Sequence, residues 1–452
     1  MPEKLFSKVK EIVIIGAGLV GSLLSIYLKK KGYHVSVYEK RPDMRASGIM
    51  GGRSINLAIS DRGWKALAGV GLENEIRKLA IPMHGRMVHT ADGQINYQPY
   101  GNPGQFINSV SRGQLNIELI TAAENNGIQF FFNQCLVETN LSGTHATMED
   151  ELTKERYELK PDLIIGADGS FSLLRYTIMK TDKFNYSQEY EEHSYKELSI
   201  PAGEDNNWRM EKNALHIWPR KSFMLIALPN LDGSFTCTLF HYTKGENSIH
   251  AIQNENDLDH FFEQYFPDAK NMMPTLHDDF FSNPTGSLVT VKCFPWVNGN
   301  SFLIGDAAHA IIPFYGQGMN CGFEDCTVLN ELIGEHEHDW NKILTGYQAA
   351  RKPNSDAIAD LAKYNFIEMR DLVADPAFQL KKKIAARISE LYPDRFTPVY
   401  TMVSFSHMPY AEALQEYKRQ NAVLDEILKM PQIEEKWYTE YLNEIAALLI
   451  KK

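Results

Sequence analysis

The chain is poor in cysteine. Five thiols, Cys135, Cys237, Cys293, Cys321 and Cys326, are scattered over 452 residues, odd in number and without a Cys-x-x-Cys pair. That pattern argues against a disulfide framework, a cysteine-rich zinc site and dithiol redox chemistry, and it leads us to expect a reducing, cytoplasmic compartment. Long apolar runs are missing too. No stretch nears the ~20 residues that span a bilayer, and the run Ile12–Ile15 is too short for a secretion signal. Basic charge is in deficit: 46 Lys and Arg stand against 57 Asp and Glu, a net charge of −11. A nucleic-acid footprint needs a basic face, and the short run Lys381-Lys382-Lys383 reads as a solvated helix face. Neither repeats nor low-complexity linkers are visible.

What is present is a globular composition, 44% hydrophobic and 23% charged, with length for about three domain-sized units. An apolar strand, Glu11 to Ile15, runs into Gly16-Ala17-Gly18-Leu19-Val20-Gly21. A helix from Ser22 to Lys31 follows, then a strand from His34 to Tyr38 that ends at Glu39. Gly16 permits the turn, Gly18 removes a side chain where a pyrophosphate must approach, and Gly21 lets helix and strand pack closely. Glu39 stands 18 residues after Gly21, where a carboxylate can accept from both ribose hydroxyls of an adenosine. Strand, glycines, helix, strand and acid together predict dinucleotide binding. They do not separate FAD from NAD.

Two further strands end in glycine and aspartate. Leu163-Ile164-Ile165-Gly166-Ala167-Asp168 is one, and Phe302-Leu303-Ile304-Gly305-Asp306 is the other. After the second, Pro313 stops any short helical turn, and Gly316 and Gly318 allow bare backbone near a flat ligand. A helix beginning near Met319 would aim unpaired N–H groups at it. Such a site suits a planar cofactor that gains electrons. Read alone, the corner at Asp306 serves equally as a helix cap.

Between these corners, Met83 to Tyr100 reads as short strands turning at Gly93, and Arg86 and Tyr100 read as ordinary strand-surface residues. Asn108 to Asn126 reads as a helix with Arg112 in its first turns, against the helix dipole, which favours an anionic neighbour. Ala214 to Phe240 reads as an antiparallel meander, and everything after residue 320 as helical. Helices are expected over Trp340–Ala350, Asn354–Val373 and Ile433–Lys452, among others. Asn365, Glu368 and Met369 share one helix face. Arg53 reads equally as a phosphate ligand or a surface arginine, and His309 as a structural residue.

The order of the glycine fingerprint, the Asp168 corner and the Asp306 corner, spread over about 290 residues, resembles that of FAD-dependent aromatic hydroxylases. Gly52–Ala58, Gly85–Met87, Gln98–Gly101, Pro313–Asn320, Tyr364–Arg370 and Tyr400–Val403 resemble, more narrowly, the kynurenine 3-monooxygenase family, over essentially the whole chain. One departure stands out: mitochondrial members carry a membrane-anchoring tail and this chain shows none, so a soluble, bacterial-type version is expected.

The resemblance implies an α/β fold with a discontinuous Rossmann-like FAD domain at 1–75, 105–180 and 285–345. A mostly antiparallel substrate domain at 76–104 and 181–284 would be inserted into it, with helices from 346 to 452. It implies L-kynurenine held by Arg86, Tyr100, Asn365, Glu368 and Tyr400, with Pro313, Phe314, Met369 and Phe240 around the ring. FAD would meet Gly16, Gly18, Val20, Gly21, Glu39, Lys40, Arg41, Ala58, Arg112, Leu136, Asp168, Asp306, Gly318, Met319 and Asn320. NADPH and O₂ would be co-substrates, with hydroxylation through a flavin hydroperoxide, no catalytic side chain, no metal, no nucleic acid, no membrane anchor, and a monomer or homodimer. The alternatives are a flavin hydroxylase or epoxidase of another aromatic or lipid, and a flavin-binding module without turnover.

Overall fold

The computed structural model describes residues 9–46, 55–102, 104–140, 142–369 and 375–450. Two apolar runs without alternation, Glu11–Ile15 and Leu163–Gly166, are adjacent parallel strands at the centre of a six-stranded sheet. Strands covered on both faces have no polar side, so continuous Ile and Val runs belong there. Across the sheet the order is Val297–Asn298, Ser301–Leu303, Leu163–Gly166, Glu11–Ile15, His34–Glu39 and Gln129–Phe132. Every neighbouring pair is parallel except the first. Ile15 is level with Gly166, and Gly166 with Leu303. That register brings the glycine fingerprint and both aspartate corners to one edge, the carboxyl edge where such sheets bind ligands.

A seven-stranded sheet stands apart from it, in the order Thr285–Phe294, Asn185–Ile200, Phe235–Tyr242, Phe223–Pro229, Ala214–Arg220, Gly85–His89 and Ile95–Pro99. Its strands pair antiparallel apart from Ala214–Arg220 with Gly85–His89. Alternation sorts its faces. Leu225, Phe235, Cys237 and Leu239 pack on Leu258, Phe262 and Phe280 of the covering helices. Ile217, Met224 and Phe240 turn the other way, onto Phe314, Leu361 and Phe366.

Four expectations change. Ile107–Ser111 is a strand between Asn56–Ile59 and Ile81–Met83, and the helix starts only at Arg112. Ser111 caps it by accepting from the Gln114 N–H, and Asn108 and Ser109 are buried in the sheet. Thr285–Phe294 pairs with Asn185–Lys196 in the larger sheet, so the return to the parallel sheet comes after 294 and not at 285. Trp340–Ile367 is one helix that runs through Pro353, where local propensity predicts a break. Arg351 holds that turn from within the core, bonded to Asp325, Glu324 and the Cys321 carbonyl. The C-terminal segment forms two short helices, Ile433–Lys436 and Leu442–Leu449, in place of one.

Candidate active site

The carboxyl edge of the parallel sheet is shaped to leave backbone uncovered. A side chain at Gly16 would strike the Ala167 carbonyl at 2.5 Å, and one at Gly21 the Gly16 carbonyl at 2.0 Å. Those glycines let the turn and the corner meet. At Gly18 and Gly169 an added Cβ would meet nothing within 4 Å, so the space in front of them is open, as a pyrophosphate cradle requires.

Asp168 gives one oxygen to the Leu173 and Leu174 N–H groups, at 2.8 and 3.4 Å. Its other oxygen is buried without a partner, and burial pushes the carboxyl above its usual range despite the hydrogen bonds it accepts. Asp306 is solvent-accessible, yet loss of bulk water also raises it, against the opposing charges of His309 and Arg112. Arg112, exposed at its helix start, is near enough to act on the Asp306 carboxyl electrostatically and makes no ion pair within 4 Å among the described residues. Glu39 is already engaged: it accepts from the Ala17 N–H at 2.9 Å and from the Arg41 side chain at 2.7 Å. Asn320 is fully buried, with its amide hydrogens on the Ala58 and Gly316 carbonyls and its oxygen on the Ser60 N–H. Only its backbone remains for a ligand.

A separate cavity of about 160 Å³ lies between the inner face of the seven-stranded sheet and the C-terminal helices. Arg86 enters it from strand Gly85–His89, Tyr100 from just past strand Ile95–Pro99, and Asn365 and Glu368 from the end of helix Trp340–Ile367. Tyr400 enters from helix Val399–Ser404. The rings of Tyr100, Tyr400 and Tyr315 stack in sequence, 5.3 and 5.7 Å between centroids. Arg86 lies over the first two, at 5.2 and 5.4 Å. Its Nε and the Tyr100 hydroxyl are buried without hydrogen-bond partners. Burial works against the Arg86 charge, but Tyr100 and Tyr400 leave its pKa raised.

Asn365 donates its amide to the Phe314 carbonyl at 2.7 Å, which fixes the side-chain oxygen as the free acceptor. Glu368 accepts from Tyr417 at 2.9 Å and from Lys382 at 3.1 Å. Behind this cavity Phe314 is wedged between Phe366 and Phe240, at 4.2 and 4.9 Å.

Comparison with known proteins agrees with this geometry. A model of the FAD binding domain matches residues 9–362. A kynurenine 3-monooxygenase of Flavobacterium johnsoniae is 51% identical over 443 residues, 98% of this chain and 99% of that one. Another, of Christiangramia forsetii, is 48% identical over 446 residues, 98% of this chain and 100% of that one. The chain belongs to the kynurenine 3-monooxygenase family. Among solved structures, tetrameric 2-methyl-3-hydroxypyridine-5-carboxylic acid oxygenase shares the fold, with a TM-score of 0.67 at 20% identity, covering 82% of this chain and 95% of that one. FAD is the cofactor of this family member, and the open glycines, the orphaned Asp168 oxygen and the unpaired Arg112 fit it.

Set against the family-derived expectations, the cavity gathers Arg86, Tyr100, Asn365, Glu368 and Tyr400. Phe314, Phe240 and Met369 belong to the apolar cluster beside it. Pro313 opens a short turn and is exposed. Of the cofactor residues, Val20 packs on Gly305 and Gly322, and Leu136 is a core residue of strand Gln134–Thr139. Met319 and Gly318 begin helix Gly318–Glu335. Ala58 and Tyr400 pack on a smaller cluster that includes Tyr100, and Lys40 is exposed. Arg53 lies outside the described residues.

Sequence reasoning missed Tyr315, Lys382 and Tyr417, all of which line the cavity. Tyr315 lies within the Pro313–Asn320 motif; Lys382 belongs to the lysine run expected on a solvated helix face, and although its side chain is 56% exposed its ammonium reaches Glu368. His309 is buried and bonded to Asp325 at 2.6 Å. Burial opposes its charge, but the Asp325 carboxylate outweighs this and raises its pKa well above the usual value. His309, Cys321 and Asp325 lie close enough to suggest a metal site. However, Asp325 is also committed to Arg351, at 2.7 Å, and the same guanidinium lies 3.3 Å from the Cys321 sulfur. A fixed cation there makes the cluster an ion-pair network. Among the described residues no helix is long and apolar enough to cross a membrane.

Proposed function

We propose that the chain uses FAD and NADPH to hydroxylate L-kynurenine at the ring carbon ortho to its amino group, giving 3-hydroxy-L-kynurenine. One observation carries the substrate assignment: Arg86, half-buried with its Nε enclosed, sits in a phenol-lined cavity with no carboxylate within 4 Å among the described residues. A buried cation left unpaired is costly, so the site is completed by an anion the ligand brings. A guanidinium can hold both oxygens of an amino-acid carboxylate, and the free Tyr100 hydroxyl adds a third donor. The Asn365 oxygen supports an N–H group on the ligand.

Activation of oxygen is supplied by FAD when bound and reduced. The protein's part is placement and dryness. The packed rings of Phe240, Phe314 and Phe366 give the neighbourhood of the cavity an apolar backing. The amino group of the substrate directs electron density to the ortho carbon, so no side chain has to act as a strong base. On the cofactor side, Asp168 and Asp306 suit ribityl and ribose hydroxyls, and the start of helix Gly318–Glu335 offers N–H groups to developing negative charge.

The assignment is tested without oxygen. Bound FAD should lose its visible absorbance when NADPH and L-kynurenine are added, and admission of air should then yield 3-hydroxy-L-kynurenine. FAD that stays oxidised, or air that restores the colour without product, would contradict it.

A further inference from the structure

The cavity already contains an ammonium group. Lys382, on helix Pro376–Leu391, lines it and places its Nζ 3.1 Å from Glu368 Oε2, while Tyr417 donates to the other carboxylate oxygen at 2.9 Å. Glu368 is well covered, its side chain 16% exposed, whereas that of Lys382 is 56% exposed. The lining thus carries groups of both kinds. Arg86 and Tyr100, in contact with each other, offer donors. Glu368 and the Asn365 oxygen offer acceptors and stand one helical turn apart on the same face. Arg86 and Glu368 both bear electrostatically on Tyr315, which lines the same cavity. A zwitterionic α-amino acid is the complement of such a lining, its carboxylate for the donors and its ammonium for the acceptors.

We propose that Lys382 occupies the amino subsite of the ligand-free protein and yields Glu368 to the α-ammonium of the incoming substrate. The inference rests on the reading of the cavity as the L-kynurenine site. An acid this well covered is expensive to leave without a cation, and the lysine spares it that state until substrate arrives. The exchange is cheap, because an ion pair whose cation is mostly exposed contributes little and the released Lys382 head returns to water. Each carboxylate keeps a cation throughout, and discrimination for a free amino group follows from Glu368 and not from the ring pocket. Lys382 is thus a competitor built into the site, and its removal should help binding.

The test uses FAD-loaded parent, K382M and E368Q proteins. Dissociation constants are measured by calorimetry for L-kynurenine and for its des-amino analogue, 4-(2-aminophenyl)-4-oxobutanoate. K382M should bind L-kynurenine roughly 2- to 5-fold more tightly and the analogue as the parent does. E368Q should lose about 10-fold or more for L-kynurenine, again with the analogue unchanged. K382M binding L-kynurenine no better than the parent, or E368Q weakening both ligands alike, would overturn the exchange. Equal affinity of the parent for both ligands would overturn the exchange alone. A parent that binds neither ligand would overturn the reading of the cavity, and the exchange with it.

Discussion

In the proposed site, ligand recognition turns on Arg86. Its charge is held among tyrosine rings with an unpartnered Nε, so Arg86→Ala should weaken L-kynurenine binding by about 1.5–3 kcal/mol while FAD content is retained. Titration of the FAD-loaded variant checks this; parental affinity would remove Arg86 from the site. Asp306→Ala should do the reverse, lowering the ratio of flavin to protein absorbance after purification, and an undiminished ratio would count against its place in the cofactor cleft. These two residues were legible in different ways. Gly305-Asp306 is visible locally as a buried strand that ends in glycine and an acid, and the glycine fingerprint and the Asp168 corner are what separate a cofactor edge from a helix cap there. Arg86 on its own is indistinguishable from a surface strand residue, and only family resemblance singled it out. Lys382 and Tyr417 could not be read at all, since what places them beside Glu368 is the docking of helices far along the chain.

At the scale of elements, the seven-stranded sheet carries its own pH dependence. His216 and His241 are buried on its outer face, and desolvation pushes both down to about 4. An unfolded chain takes up these protons near pH 6.5, while the folded sheet resists them until about pH 4. Their contribution is therefore complete above pH ~6.5 and drains as pH falls toward 4. His216 donates through Nε2 to the Glu211 carbonyl and accepts at Nδ1 from His89, at 2.9 Å each. Glutamine can repeat that donor and acceptor without titrating. His216→Gln should lose less melting temperature than the parent between neutral pH and about pH 4.5; parallel losses would show that His216 does not set the slope. Elements are legible where pattern is local: the antiparallel meander expected over Ala214 to Phe240 is the strands Ala214–Arg220, Phe223–Pro229 and Phe235–Tyr242. Local pattern fails at Pro353, where buried ion pairs of Arg351 override a residue that breaks helices in isolation.

Across the whole molecule, one chain of charges runs from the Gly305 corner to the start of helix Tyr410–Ile427. Asp325 accepts from the Gly305 N–H at 3.1 Å, from His309 at 2.6 Å and from Arg351 at 2.7 Å. Arg351 continues to Glu324, Glu324 to Arg62, and Arg62 to the Tyr410 ring and the Met408 carbonyl. Asp325→Asn would leave His309 without its carboxylate and Arg351 with Glu324 alone, at a cost of about 3–5 kcal/mol. A lower melting temperature together with faster loss of FAD on dialysis is expected; unaltered FAD retention would separate the network from the cofactor corner. No local signal marks this network, whose members lie in five separate segments.

The most direct measurement is stoichiometric. FAD-loaded protein is supplied with NADPH, air and L-kynurenine, and NADPH oxidised, peroxide released and 3-hydroxy-L-kynurenine formed are counted together. Close to one product per NADPH, with little peroxide, is the expected result. NADPH consumed at an equal rate with and without L-kynurenine, ending in peroxide and no hydroxylated product, would contradict the assignment.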